Sequence, residues 1–228
     1  REPTQDGERT VTLRRVGDVQ VVMMSYHVPP GSHPDYAAID ILAQVLGDQP
    51  SGRLYRGLVE PGLAASAGAF SQQLREAGPR LTYAQVRTED DLSAAVTAMN
   101  EVLVEALRSP VTEEEVDRAK TSLLNGFERT FNNPERIALQ LSEWASMGDW
   151  RLFFLHRDRI EAVVPADVNR VAADYLKPDN RTVGFFYPTD DPDRAEIPDL
   201  PDIASALDGY TGREAIAAGE AFDPSPSN

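Results

Sequence analysis

Leu63-Ala64-Ala65-Ser66-Ala67-Gly68-Ala69-Phe70 and Arg80-Leu81-Thr82-Tyr83-Ala84-Gln85-Val86-Arg87 flank a turn at Gly78-Pro79. The first run, traced to Leu74, alternates small apolar residues with Ser, Gly and Phe. The second alternates through Leu81, Tyr83 and Gln85. Alternation around a Gly-Pro break reads as a hairpin. The small residues of its first strand leave room for close approach from above. Upstream, Thr10–Arg14, the pair Gly17-Asp18 and the β-branched run Val19–Val28 read as strand, short turn, strand. Pro29-Pro30-Gly31 then breaks the chain. Ser32-His33-Pro34-Asp35 opens a helix with Ala38, Ile39, Leu42, Val45 and Leu46 at helical spacing, stopped by Gly47. A short helix over Ser51–Val59 presents Leu54, Leu58 and Val59 on one face and ends at Pro61-Gly62.

Downstream of the hairpin the period changes to that of helices. Asp90–Arg108 carries Leu92, Val96, Met99, Leu103 and Leu107 at steps of three and four. Thr112-Glu113-Glu114-Glu115 is a capping box, and the helix behind it runs to about Phe131. Asn132-Asn133-Pro134 starts another that reaches Met147. Trp150–Val163 and Pro165–Leu176 complete the helical block, and Asn180–Tyr187 reads as a closing strand. Strands therefore come mostly as adjacent pairs and do not alternate with helices. The expected class is α+β, an antiparallel sheet covered on one face by helices. No G-x-G-x-x-G follows a strand, which speaks against a dinucleotide fold.

The domain so outlined spans residues 9–187, after a linker end at 1–8. Residues 188–228 are different: dense in proline, with ten acidic side chains against Arg194 and Arg213. They read as an extended linker or tail with one short helix, near Ser205–Leu207 or Arg213–Gly219. The chain begins at Arg1 and not Met, and reads as a piece of a longer parent. Its 228 residues carry 22 basic and 37 acidic side chains, a net charge of -15. That balance argues against nucleic acid and anionic membrane surfaces as partners. Apolar runs are a few residues long, too short for a membrane span. Absence of cysteine excludes disulfides, thiolate nucleophiles and Cys-zinc sites, and is compatible with cytosol or periplasm.

Few residues offer chemistry. His27, His33 and Asp35 form one conceivable metal cluster, although a proline-rich turn separates the histidines. His156 lies in Phe153-Phe154-Leu155-His156, with Glu161 five residues on. Neither H-E-x-x-H nor H-x-x-E-H occurs. Ser51 and Ser66 lack the G-x-S-x-G context of a nucleophile, and no P-loop is present. Glu113-Glu114-Glu115 sits where acids favour a helix start, and Asp190-Asp191 in the tail. Phe127, Phe131, Trp144, Trp150, Phe153 and Phe154 read as core or interface. Arg53, Tyr55 and Arg56 project from the short helix. They are the candidate contacts to a substrate peptide or a neighbouring domain.

Several ordered pieces resemble the insulinase/pitrilysin family of zinc metallopeptidases. They are the helix Pro34–Leu46, the turn Gly47-Asp48-Gln49-Pro50-Ser51, and then Gly52-Arg53-Leu54-Tyr55-Arg56-Gly57-Leu58-Val59-Glu60 with Gly62-Leu63-Ala64-Ala65-Ser66. Thr112–Glu115 before a long helix and Asn180-Arg181-Thr182-Val183 as closing strand also fit. The resemblance implies an antiparallel sheet packed with helices, repeated in homologous domains. One such domain carries zinc on H-x-x-E-H and a distant glutamate, and the others face it and close a chamber around unfolded peptides. Lacking the motif, this chain resembles a non-catalytic domain, the second of its protein, with a linker toward a following half. Some C-terminal domains of the family hold the substrate backbone with an arginine in an L-R-x-E run and a tyrosine after G-L-A. Val59 and Ala65 occupy those places here.

The expected function follows from that resemblance. The chain packs against a homologous zinc-bearing peptidase domain, in the same chain or as a subunit, and helps enclose a peptide substrate. It holds no catalytic residue, metal or cofactor of its own, and zinc belongs to the partner. Alone, it is expected to be inactive. Family members occur in periplasm and cytoplasm, with periplasm the favoured compartment here. The alternative is a free-standing assembly module that uses the acidic tail and the Trp144–Phe154 aromatics as interaction surfaces.

Overall fold

The computed structural model describes residues 4–191 and 193–213. Five strands form one sheet: β1 (Arg9–Arg15), β2 (Val19–Val28), β3 (Ser66–Ser71), β4 (Gly78–Arg87) and β5 (Arg181–Pro188). Its spatial order is β1-β5-β2-β4-β3. The β3–β4 hairpin is antiparallel with Ala67 opposite Ala84. β2 is antiparallel to both β4 and β5.

One pairing departs from the sequence reading. β1 and β2 are joined by a short turn but do not pair. β5, the last strand in the chain, lies between them and runs parallel to β1, with Arg9 opposite Thr182. A single feature lets the turn cross the end of β5. A Cβ on Gly17 would sit 2.9 Å from the Phe186 ring, so the backbone there approaches β5 more closely than a side chain permits. β1 is exposed along its whole length and forms an edge.

The helices pack on one face of the sheet. Val22, Met24, Tyr26 and Val28 of β2, Ala84 and Val86 of β4, Ala67 of β3 and Val183 of β5 all point into the core. Helix α1 (Tyr36–Gly47) is the central element. Nine of its twelve residues are buried, as expected for a helix apolar on nearly every side. Its end meets the small residues of β3, where a Cβ on Gly47 would lie 2.3 Å from the Ala69 nitrogen. The alanine-rich strand thus has the close neighbour its composition required. Against α1 stand α3 (Glu113–Phe131), α5 (Leu152–Ala162) and α6 (Pro165–Tyr175), while α2 (Leu92–Arg108) packs on β2, β4 and α6. Between α3 and α5, α4 (Pro134–Ser146) buries only Trp144.

The opposite face carries large apolar side chains that do not belong to the core: Val11, Leu13, Val21, Met23, Leu81 and Phe70. Val11, Leu13 and Phe70 are 49%, 52% and 41% exposed. No helix of the described residues crosses a membrane-spanning length of apolar sequence.

The chain divides after Pro192. From Asp193 the described residues form one helix, α7 (Ile203–Leu207), capped by the Asp202 carboxylate on the Ala204 N–H. This is the first of the two helix positions expected in the tail. The other, Arg213–Gly219, lies outside the described residues beyond its first residue.

Candidate functional site

The segment from Gly47 to Ser66 carries the residues singled out for contact. It is fixed by its own polar groups. Asp48 accepts from Gln44 Nε2 at 3.0 Å and from the Ser51 hydroxyl at 2.5 Å. A Cβ on Gly52 would fall 2.4 Å from the Asp48 carbonyl oxygen, so this position needs glycine. The helix that follows is shorter and wider than expected. Over Tyr55–Val59 the Glu60 N–H reaches back five residues to the Tyr55 carbonyl, the hydrogen bond of a π-helix. Leu54 and Leu58 point into the core and leave Arg56 outside.

Arg53 turns inward. Its guanidinium holds both oxygens of Glu115, at 2.9 and 2.7 Å, and donates to the Ser109 carbonyl at 3.1 Å. That bidentate bond keeps the Glu115 carboxyl well below the usual carboxylate range, at about 2, against an opposing effect of burial. Glu115 also closes the capping box at the start of α3 by accepting from the Thr112 N–H. One carboxylate therefore ties the short helix to α3 and caps α3. Arg56 stands 3.6 Å from the same carboxylate and is half exposed. Tyr55 is half-buried and Val59 packs against the core, while Ala65 is exposed.

Arg53 and Arg56 border a groove of about 1110 Å³ between the short helix, α2 and the start of α3. Along α2 its wall is Thr97, Asn100, Glu101, Val104, Glu105 and Arg108. These residues recur at steps of three and four and form the stripe of α2 opposite Leu92, Ala95, Met99 and Leu103, which face the core.

The other candidates are dispersed or occupied. Asp35 accepts from Arg170 at 2.7 Å and from the Tyr175 hydroxyl at 2.8 Å. The Arg170 bond lowers its pKa. His33 lies 3.9 Å from it, and the His27 carbonyl accepts from Asn180. Among the described residues no group of three or more His, Cys, Asp or Glu stands close enough together to hold a metal ion. Ser51 is spent on Asp48, and the Ser66 hydroxyl donates to Gln85. Glu114 pairs with Arg118, and Asp191 accepts at its carbonyl from Thr189. Of the aromatics, Trp144 and Phe153 are buried, whereas Phe131 and Trp150 are 42% and 50% exposed. Phe127 and Phe153 centroids are 4.9 Å apart.

His156 has a partner that the sequence reading missed. Its Nε2 is hydrogen-bonded across 2.9 Å to Asp40, 116 residues earlier on α1, and the Trp144 ring lies 5.1 Å away. Burial raises the Asp40 pKa, and the bond to His156 opposes that rise. The available signal was a lone carboxylate between Ile39 and Ile41 in a mostly apolar helix.

With this geometry in hand, comparison with known proteins gives the family. Residues 1–123 match the family model of the peptidase M16 inactive domain. The chain belongs to that family. This M16 inactive domain is 38% identical to the inactive peptidase domain of a protein described as a zinc protease from Bordetella parapertussis. That structure matches 81% of this chain and 99% of its own, with a TM-score of 0.72. A zinc protease from Helicobacter pylori, PqqE, is 25% identical over 190 residues. Those residues make up 82% of this chain and 43% of PqqE, so the chain spans less than half of that relative. A protease structure from Helicobacter pylori shares the fold, with a TM-score of 0.76 at 24% identity over 82% of this chain and 46% of its own. The expected family and fold class are thus both shown, and the M16 inactive domain is related to parts of larger zinc proteases.

Proposed function

We propose that this M16 inactive domain works as the non-catalytic wall of a zinc protease. It packs against a homologous zinc-bearing domain, in the same chain or as a subunit, and helps close the chamber that encloses an unfolded peptide. The observation that carries this reading is the apolar face of the sheet that the helices of residues 4–191 leave uncovered. Val11, Leu13, Val21, Met23, Leu81 and Phe70 make a contiguous apolar surface on a domain whose helices all serve the other side. Apolar surface of this extent is characteristic of interaction sites. Zinc and the water it activates belong to the partner in this reading, with no step assigned to residues of this chain.

The test is hydrolysis of casein by this chain alone, by a zinc-bearing M16 domain of the same parent alone, and by the two mixed. The expected result is none from this chain and chelator-sensitive cleavage that rises on mixing. Chelator-sensitive cleavage that survives repurification of this chain alone overturns the reading. So does a stable self-associated form with no affinity for the zinc-bearing domain, the result that favours an assembly module instead.

A further inference from the structure

We propose that Arg80 holds a chloride ion inside the domain, on the helical face of the sheet, with the Ser71 hydroxyl as a further ligand. The site is separate from the groove along α2 and from the uncovered sheet face. It stands whether or not this chain serves as the wall of a protease.

The argument begins with how the arginines of this chain use one edge of the guanidinium. Nε and Nη2 form a fork that points two N–H bonds the same way. In Arg53 that fork holds both oxygens of Glu115, at 2.9 and 2.7 Å. In Arg151 it holds Asp149, and in Arg157 it holds Asp158. In Arg181 it holds Glu8. Arg80 differs. It is wholly buried, and its Nε and Nη2 have no hydrogen-bond partner among the described residues. Its third nitrogen, Nη1, is spent on the Thr82 hydroxyl at 3.0 Å.

The surroundings supply no counter-charge. Among the described residues, the one titratable group whose charge acts on Arg80 is Tyr26, directly opposite on β2. Burial keeps the Tyr26 hydroxyl protonated, and the group bonded to it is a second cation, Arg181. Glu8 balances Arg181, so one positive charge is left over. Met24, Thr82 and Ala84 beside it are wholly buried too, and solvent does not screen it. Burial lowers the Arg80 pKa to about 10, which still leaves the group charged at neutral pH. A buried cation is tolerated when an opposite charge accepts its hydrogen bonds, and no side chain does so here.

The donors on hand define the ion. Ser71 of β3 stands directly opposite Arg80, which puts the two side chains on one face with Cβ atoms about 5 Å apart. Its hydroxyl is likewise buried without a partner among the described residues. Three donors and one net positive charge suit a small monovalent anion that accepts from any direction. Sulfate or phosphate brings more charge and more acceptor oxygens than these groups can satisfy. A water molecule accepts hydrogen bonds but leaves the charge uncompensated. In a low-dielectric interior the attraction between guanidinium and halide is strong. The net charge of -15 opposes anions at long range, so retention rests on these local contacts.

Thermal melts in sodium chloride, sodium bromide and sodium gluconate, at one fixed ionic strength, separate ion binding from screening. Gluconate is too large for a wholly buried site. Each tenfold rise in halide beyond its dissociation constant is expected to raise Tm by about 4 °C over gluconate. Arg80→Met is expected to lose that halide dependence, and in gluconate to melt at or above the temperature of the parent chain. Crystals of the parent chain grown with bromide are expected to show an anomalous-scattering peak at hydrogen-bond distance from Arg80 Nε and Nη2. Equal melting of the parent chain in halide and gluconate overturns the proposal, as does a halide dependence that persists in Arg80→Met. Bromide diffraction without a peak at Arg80 also overturns it, and is the result if water alone meets the guanidinium. The diffraction needs no variant, so a misfolded Arg80→Met does not rescue the proposal.

Discussion

The two faces of the sheet are both apolar and are built differently. The helical face of β3 is made of small residues, Ala67 and Ala69, and pairs with Thr82 and Ala84 on β4, with the larger Arg80 and Val86 toward the two ends of β4. The uncovered face of the same strands holds the large ones, Phe70, Leu81 and Tyr83. Along β3, where α1 comes closest, side-chain size therefore marks what lies against a face better than hydrophobicity does. A helix packed to backbone distance, as α1 is at Gly47, demands small partners. A face with no helix on it has room for bulk.

That contrast breaks first at Gly47. Gly47→Val places carbons against the backbone of Ala69, which cannot move aside as a side chain could. We expect a loss of about 3 kcal/mol, read by urea unfolding, and a loss below about 1 kcal/mol would mean that α1 does not bear on β3 this closely.

The next effect sits at the edge of the helical side. Glu115→Gln removes the charge that holds Arg53, and about 2 kcal/mol should go with it. The pH dependence has a definite sign. Glu115 titrates lower in the folded chain, at about 2, than its ordinary value of 4.5. Its contribution is therefore complete above about pH 4.5 and disappears as pH falls toward 2. The variant should show a flatter stability profile across that window in thermal melts.

Arg80 sharpens the comparison from inside. It is wholly buried on the helical face, its Nη1 donates to Thr82 at 3.0 Å, and its Nε and Nη2 have no hydrogen-bond partner among the described residues. Burial lowers its pKa to about 10. Arg80→Met keeps most of the volume and removes the incompletely paired charge, so we expect an unchanged or slightly higher stability, by about 1 kcal/mol. A loss above about 2 kcal/mol would show that the guanidinium is better satisfied than its hydrogen bonds indicate.

The smallest effect belongs to the uncovered face. Met23→Thr with Leu81→Thr should change the stability of the isolated chain by no more than about 0.5 kcal/mol, while weakening association with a zinc-bearing domain. Equal loss of both, measured by unfolding and by sedimentation, would make this face part of the core after all.

Most elements were legible because their signals are local. The hairpin, the capping box at Thr112 and the apolar faces of α1 and α2 each announce themselves within a dozen residues. What was not legible was pairing at a distance. The stretch around Gly17-Asp18 reads as strand, short turn, strand, but nothing near it reveals that β5 enters between those strands. Alternation through Leu81 and Tyr83 identifies a strand without telling which side is covered. At the site, the sequence picks out Arg53 and Arg56 on the same ground, that both project from the short helix. Only the fold separates them, because the carboxylate that claims Arg53 lies 62 residues further on. His156 and Asp40 are likewise 116 residues apart, and no spacing rule spans that gap.

The placement of β5 also sets an order of events at the ribosome. β1 and one edge of β2 emerge well before their shared neighbour: Arg181 meets Glu8, 173 residues earlier. Until β5 arrives, the exposed edge of β2 and the whole of β1 remain without a ladder, in a chain whose helices can already form. Closure of so long a loop is slow compared with helix formation. The growing domain therefore presents open strand edges while the intervening helices are made, the condition under which nascent β-proteins call on chaperones. A truncation that stops short of Arg181 should leave a helical, aggregation-prone chain rather than a smaller folded domain.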